Sequence, residues 1–297
     1  TVHGTPLQDL CQEELAKYEL HPLDLWVRLE QWTARNEMAT GLDQFLLRHL
    51  GFFNVEPNSP GYMVRLRQPA CRLRGDQLCA VADIAERYAG GYGHLTTRGN
   101  LQLRESEPGH VLDVMDALTQ AGLSCQGSGA DSARNITASP TAGFDAGELI
   151  DLSPQARRLS NVVLHTRELR ALPREFNISF DNGRISAVSD SNDFCFQADT
   201  IGEGAPVVSG TYCRVSVGGI SGHQQLAQDT GMVCTPEQSV LVGVAMLYVF
   251  VEHGDRTSRK KARLKYLLDR EGIDWFVERT QDKLDALDAG FSLTAVP

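Results

Sequence analysis

The chain has 297 residues, 42% of them hydrophobic and 22% charged, which suits a globular protein of about two domains. Its formal net charge is −10 and no long block of like charge occurs, which excludes non-specific nucleic-acid binding, since that needs a basic surface. No apolar run reaches the roughly 18 residues of a membrane span.

The first residues, Thr1-Val2-His3, show no basic-then-apolar leader and no initiator Met, so the expectation is a chain trimmed or cut from something longer. Residues 6–50 carry helical periodicity, with Leu23, Trp26, Val27 and Leu29 on one stripe and Phe45, Leu46, His49 and Leu50 on another. Glu56-Pro57-Asn58-Ser59-Pro60-Gly61 breaks that pattern. An alternating strand follows at 62–67, with Tyr62, Val64 and Leu66 on one face and Arg65 and Arg67 on the other. A helix is expected over 75–89, striped by Leu78, Val81, Ala82 and Ala85, and closed by Gly90-Gly91. Two short strands, 92–96 and 101–105, flank the turn Arg98-Gly99-Asn100. Pro108 opens another helix to Ala121, and 123–126 reads as a last strand. The order β-α-β-β-α-β over 61–126 is the ferredoxin-like unit.

Gly127-Ser128-Gly129 reads as a flexible joint. Beyond it come a strand-like 134–138 and helical stretches near 146–167. Strands are expected at 175–180, 184–188, 194–198 and 211–217, then helices at about 236–252, 257–270 and 272–287. Asp255 is a candidate cap for the second of these helices. The fold class is α+β: a helical arm (1–58), a ferredoxin-like half-domain (59–128) and a larger α+β domain (129–297).

Seven cysteines occur, Cys11, Cys71, Cys79, Cys125, Cys195, Cys213 and Cys234, with no CxxC or other tight pair. A cytoplasmic protein with reduced, mostly buried thiols is expected, with no metal site of the chain's own. The basic residues have a pattern. Arg65 and Arg67 leave one strand face, Arg98 sits in a turn, Arg104 leaves a strand, and Arg134 and Arg174 flank strands. Arg259, Lys260, Lys261, Arg263 and Lys265 crowd one segment. In an acidic chain this placement points to a polyanionic ligand, since Arg grips carboxylates in bidentate fashion.

Ordered segments carry a resemblance: 61–67, 82–88, 96–104, 134–145, 172–177 and 253–263. They read GYMVRLR, ADIAERY, TTRGNLQLR, RNITASPTAGFD, LPREFN and HGDRTSRKKAR. Together they resemble the amino-terminal half of sirohaem-dependent nitrite and sulfite reductases. The resemblance implies an oxidoreductase using sirohaem, an octacarboxylate that suits the arginines. By similarity, Thr96, Arg98, Asn100, Gln102, Arg104, Asn135, Arg174, Arg259, Lys261 and Arg263 would hold sirohaem. Arg65 and Arg134 match the arginines that face the anion. Asn177 stands where sulfite reductases place Lys and plant-type nitrite reductases place Asn, so it leans toward nitrite. Glu175 replaces an expected Lys, and a carboxylate beside a bound anion repels it.

The family's second half supplies Cys-x5-Cys and Cys-x3-Cys for a [4Fe–4S] cluster, and no such spacing occurs here. The expectation is therefore a sirohaem- and anion-binding half, completed by a cluster-bearing half or subunit and fed by ferredoxin or a flavoprotein. Two alternatives remain: a non-catalytic half that dimerises, and a precorrin-3B synthase-like protein.

Overall fold

In the computed structural model, which describes residues 1–55, 61–184 and 189–296, the first 50 residues form the expected helical arm. Its helices are α1 (Gln12–Glu19), α2 (Trp26–Arg35) and α3 (Gly41–Leu47). The stripe on α2 differs from expectation. Trp26 and Val27 are 42% and 66% exposed, while Leu25 and Leu29, one turn apart, are buried. Residues four apart share a helix face and residues two apart do not, so burying Leu29 turns Val27 outward.

Strand β1 (Phe52–Phe53) comes next and was not expected from the sequence. It pairs antiparallel with β2 (Tyr62–Arg65), whose Tyr62 and Val64, followed by Leu66, enter the first core. Of the breaker segment, residues 56–60 lie outside the described residues. Helix α4 (Gly75–Tyr88) buries Val81, Ile84 and Ala85, whereas Leu78 is 54% exposed and Ala82 faces solvent. The stripe is thus rotated from the one expected. Then follow β3 (Gly93–Leu95), β4 (Leu101–Ser106) and α5 (Val111–Gln120). The sheet order is β1-β2-β4-β3. The expected last strand at 123–126 is reduced to one bridge, Arg67 to Ser124. Gly51 explains the shortening. At φ 95°, a Cβ there would lie 2.3 Å from the Cys125 carbonyl oxygen, so residue 125 crosses tightly against Gly51 while β1 takes the rest of the edge.

The second core is built on a six-stranded sheet, order β10-β9-β8-β7-β6-β5. In chain order the elements are β5 (Thr137–Ala138), α6 (Ser153–His165), β6 (Ile178–Asp181), β7 (Phe194–Ile201), β8 (Gly210–Val217), β9 (Gln228–Cys234), α7 (Ser239–His253), α8 (Leu264–Glu271), α9 (Ile273–Ala286) and β10 (Thr294–Ala295). The β5–β6 and β6–β7 pairs are parallel and the others antiparallel. Residues 185–188 of the expected strand at 184–188 lie outside the described residues. Strand β9 escaped the sequence because it opens on polar residues, Gln228-Asp229-Thr230-Gly231. Helix α7 is apolar on all sides and buried on nearly all. Gly243 lets it approach α6 and β7: a Cβ there would lie 2.8 Å from Leu159 and 3.5 Å from Phe196.

No helix covers 256–263. That segment is a loop with a 3-10 turn at Arg259–Lys261, and α8 starts at Leu264. Asp255 caps the loop instead, its Oδ1 accepting from Thr257 N at 2.7 Å and Thr257 Oγ1 at 2.8 Å. The expected joint at 127–129 is packed, because Gly129 lies so close to Phe53 that a Cβ would fall 2.1 Å from Cζ. All seven cysteines are free; Cys125, Cys195, Cys213 and Cys234 are buried, Cys11 is half-buried, and Cys71 and Cys79 are exposed. Among the described residues no helix is long and apolar enough to cross a membrane.

Candidate functional site

The site is assembled where the turn after β3, the 131–135 segment, the 174–177 segment and the 256–263 loop meet. The turn comes first. Thr96 closes it: its N–H donates to Asn100 O at 2.9 Å, and its Oγ1 accepts from Asn100 N at 3.1 Å and Arg98 N at 3.3 Å. Gly99 sits at φ 64° against Cys71, where a Cβ would lie 2.2 Å from Sγ, so the turn requires glycine. Asn135 then fastens the turn. Its Nδ2 donates to Arg98 O at 3.1 Å, and its Oδ1 accepts from Gln68 N at 3.0 Å. Thr96, Asn100 and Asn135 therefore shape the turn that presents Arg98. The Arg98 guanidinium reaches across to the second sheet, donating to Ile178 O at 3.2 Å and Asn192 Oδ1 at 2.8 Å.

Alternation along β4 buries Leu101 and Leu103 and leaves Gln102 and Arg104 half-buried on the opposite face. Arg65 lies opposite Gln102 in the register. Its guanidinium stacks 4.5 Å from the Phe53 ring centroid. Arg134 stands beside it, held by Arg134 N to Phe176 O at 2.8 Å. Burial pushes the pKa values of Arg65 and Arg98 down to about 10, and that of Arg134 downward too. All remain charged at neutral pH. The direction reports cations that an anionic partner would stabilise.

A cleft of about 630 Å³ opens among Arg174, Glu175, Asn177, Lys260, Arg263 and Tyr266. Glu175 occupies its basic wall. One carboxylate oxygen accepts from Arg134 Nη2 at 2.5 Å and the other from Arg263 Nη1 at 2.9 Å. Burial pushes the Glu175 carboxyl up, but Arg134, Arg263 and Arg174 outweigh it and hold the group below its ordinary value. Arg263 is fixed on its other edge by buried Asp193, which accepts at 2.8 and 3.3 Å and also receives Asn177 N at 2.7 Å.

Behind the cleft lies a buried ion network. Asp131 accepts both arms of Arg259, at 2.7 and 2.8 Å, and Lys17 Nζ at 3.0 Å. Lys17 also reaches Glu14 at 2.5 Å, and Glu14 receives Arg256 at 2.5 Å. Lys17 and the opposing cations hold Asp131 far below the usual carboxylate range, against the upward push of burial. Arg67 is a second buried cation, with burial pushing its pKa down to about 9; its Nε donates to Ser160 Oγ and its Nη1 to the Gly127 and Ala133 carbonyls.

Of the residues singled out from sequence, the structure thus gathers Arg65, Arg134, Arg174, Glu175, Asn177 and Arg263. Lys261 is exposed and makes no ion pair among the described residues; Lys260 lines the cleft instead. Arg259 borders the cleft but spends its fork on Asp131. Sequence reasoning missed Asp193, Asp131, Glu14, Lys17 and Arg256. Asp131 lies between the joint read at 127–129 and the strand read at 134–138, where no element was expected, and no local pattern ties Glu14 to Arg256 across 242 residues.

A family model described as the nitrite and sulphite reductase 4Fe-4S domain matches residues 129–286, more than half of the chain. The chain belongs to the nitrite and sulphite reductase family. A second model, the nitrite/sulfite reductase ferredoxin-like half domain, matches residues 55–121. A ferredoxin–nitrite reductase of Synechococcus elongatus is 34% identical over 253 residues, which are 80% of this chain and 47% of that protein. A sulfite reductase [NADPH] hemoprotein beta-component of Acidithiobacillus ferrooxidans is 30% identical over 262 residues, 78% of this chain and 45% of that one. The chain spans about half the length of the curated relatives it matches. The structure of the Mycobacterium tuberculosis NirA protein aligns with a TM-score of 0.83 at 23% identity, over 97% of this chain and 55% of that one, which supports the shared fold.

The first model's description names a cluster. Within 129–286 of this member stand Cys195, Cys213 and Cys234, on three adjacent strands, and each is buried. Burial pushes the thiols of Cys195 and Cys213 up to about 12 and that of Cys234 well above its ordinary value. A cluster needs thiolates, and among the described residues no group of three metal-ligating side chains converges. These residues do not fit a [4Fe–4S] cluster held by this chain alone.

Proposed function

We propose that this chain is the sirohaem- and anion-binding half of a six-electron nitrite or sulfite reductase, divided into an arm (1–58), a ferredoxin-like half-domain (59–128) and a larger domain (129–297). A second half or subunit supplies the cluster. Ferredoxin is the favoured donor, in line with the name of the Synechococcus relative, and Asn177 favours nitrite.

One observation carries the reading. Among the described residues the Nε atoms of Arg65, Arg98, Arg134 and Arg174 are buried without a hydrogen-bond partner, in a region whose guanidinia converge from separate segments. That donor set fits a ring bearing many carboxylates. Arg98 and Arg174 are the holders this reading prefers, with Gln102 and Arg104 on the neighbouring strand face. Asn100 and Asn135 act by shaping the turn. When bound, sirohaem supplies the iron centre to which electrons are delivered. The chain's own groups orient the anion: Arg65 and Arg134 supply fixed positive charge and N–H donors in a poorly hydrated setting, where such donors act most strongly.

Sirohaem titrated into the purified chain should give a saturable Soret shift that is weakened in Arg174→Ala and in Arg98→Ala. Among the described residues Arg174 makes only a long ion pair, 3.8 Å to Asp131, so its variant separates binding from folding. No binding by the folded wild-type chain would sink the proposal. It would favour a non-catalytic half, a reading that Glu175 on the anion-binding wall also supports.

A further inference from the structure

Glu175 is more than a misplaced charge. Its carboxylate is a planar, bent monoanion with charge shared over two oxygens, the shape and charge of nitrite. Each oxygen is taken by a different cation, Oε2 by Arg134 at 2.5 Å and Oε1 by Arg263 at 2.9 Å. These cations come from distant segments, 41 and 88 residues away. Neither is free to turn elsewhere. Arg263 is clamped by Asp193 on its far edge, and among the described residues the Arg134 guanidinium has only the Ser128 backbone carbonyl, 3.4 Å away, as an alternative acceptor. The cleft's other cations border the same position, Arg174 on the adjacent residue and Lys260 across the opening.

We infer that Glu175 is a tethered counter-anion occupying the oxyanion position, so that a free oxyanion binds this chain only by displacing it. The inference rests on the reading of the cleft as an anion site. The site is complete but plugged. A tethered group competes at an effective concentration of about millimolar or above, so weakly held anions lose to it. The displaced side chain has somewhere to go, because it is 29% exposed toward the open cleft.

The test uses the cofactor-free chain and sodium nitrite alone, followed by calorimetric titration and by melting temperature. Glu175→Gln keeps the size of the side chain and removes its charge. It should bind nitrite about tenfold or more tightly than wild type, and Glu175→Lys more tightly still. Should the substitution lower the melting temperature by leaving Arg134 and Arg263 unpaired, nitrite must restore it in the variant and leave wild type unmoved. Equal nitrite affinity in wild type and Glu175→Gln overturns the inference, and so does absence of binding in all three proteins. Because sirohaem is not present, either failure leaves the cofactor-binding reading standing, and a failed sirohaem titration leaves this result untouched.

Discussion

Asp131 offers the sharpest test of what holds the arm to the rest of the chain. The perturbation is Asp131→Asn. The wild-type carboxylate is fully buried and meets three N–H donors, two from Arg259 and one from Lys17. Removing its charge leaves Lys17 and Arg259 partly unpaired, with side chains only 3% and 19% exposed. Breaking a buried pair in this way costs about 3–5 kcal/mol. At about 2.1 cal/mol/K per residue, a 297-residue chain loses roughly 6 °C of melting temperature for about 4 kcal/mol. Lys17→Met makes the comparison informative. There, Glu14 keeps Arg256 and Asp131 keeps both arms of Arg259, and the orphaned group is the Leu172 carbonyl. Its cost should be about 1–3 kcal/mol. Scanning calorimetry of the three proteins at pH 7.5 measures both. A loss under about 2 °C for Asp131→Asn, or a larger loss for Lys17→Met, would refute the account of the network.

Two further outcomes are expected. His49 is fully buried, and burial lowers its pKa to about 3. The unfolded chain therefore takes up a proton near the ordinary value of 6.5 before the folded chain does. Stability is full above that pH and falls as pH drops toward 3, by up to about 1.4 kcal/mol per pH unit. His49→Gln should flatten the urea-midpoint profile by one proton's worth between pH 6.5 and 4; an unchanged slope contradicts the assignment. Gly99→Ala forces a Cβ to within 2.2 Å of Cys71 Sγ at a positive φ, so it should lower the melting temperature and weaken sirohaem binding together. A variant that melts normally and binds normally would show that the turn does not set the position of Arg98.

Much of the fold was legible because its signals are local. Pro108, Gly90-Gly91 and the alternation of 62–67 each act within a few residues, and α5, α4 and β2 appear where they place them. Stripes were less readable. On α4 an Ile84-centred face and a Leu78-centred face are both locally acceptable, and only the sheet beneath decides between them. Residues 257–270 read as one helix on a partial apolar stripe of Ala262, Leu264, Leu267 and Leu268. In the fold, Arg256 is drawn inward to Glu14 and the Val251 carbonyl, and Arg259 and Arg263 to Asp131 and Asp193, so tertiary ion pairs override helix propensity. The arginines of the cleft were visible as a set. Of their acidic partners Glu175 stood out, whereas Asp131 and Asp193 did not, because they become meaningful only when segments 70 or more residues away arrive.

The network behind the cleft also has a consequence for the order in which the chain assembles. Lys17 meets Asp131 across 114 residues, and Glu14 meets Arg256 across 242. During synthesis from the amino terminus, Glu14 and Lys17 emerge long before the loop that balances them. Closing so long a loop carries an entropic cost, and beforehand Glu14 and Lys17 have the local pair they make with each other. The ion pairs of α1 with Asp131 and Arg256 therefore wait for distant segments, whereas its packing against α3 needs only the arm itself. Once made, the bond to Arg256 is what ties the two ends of the chain together.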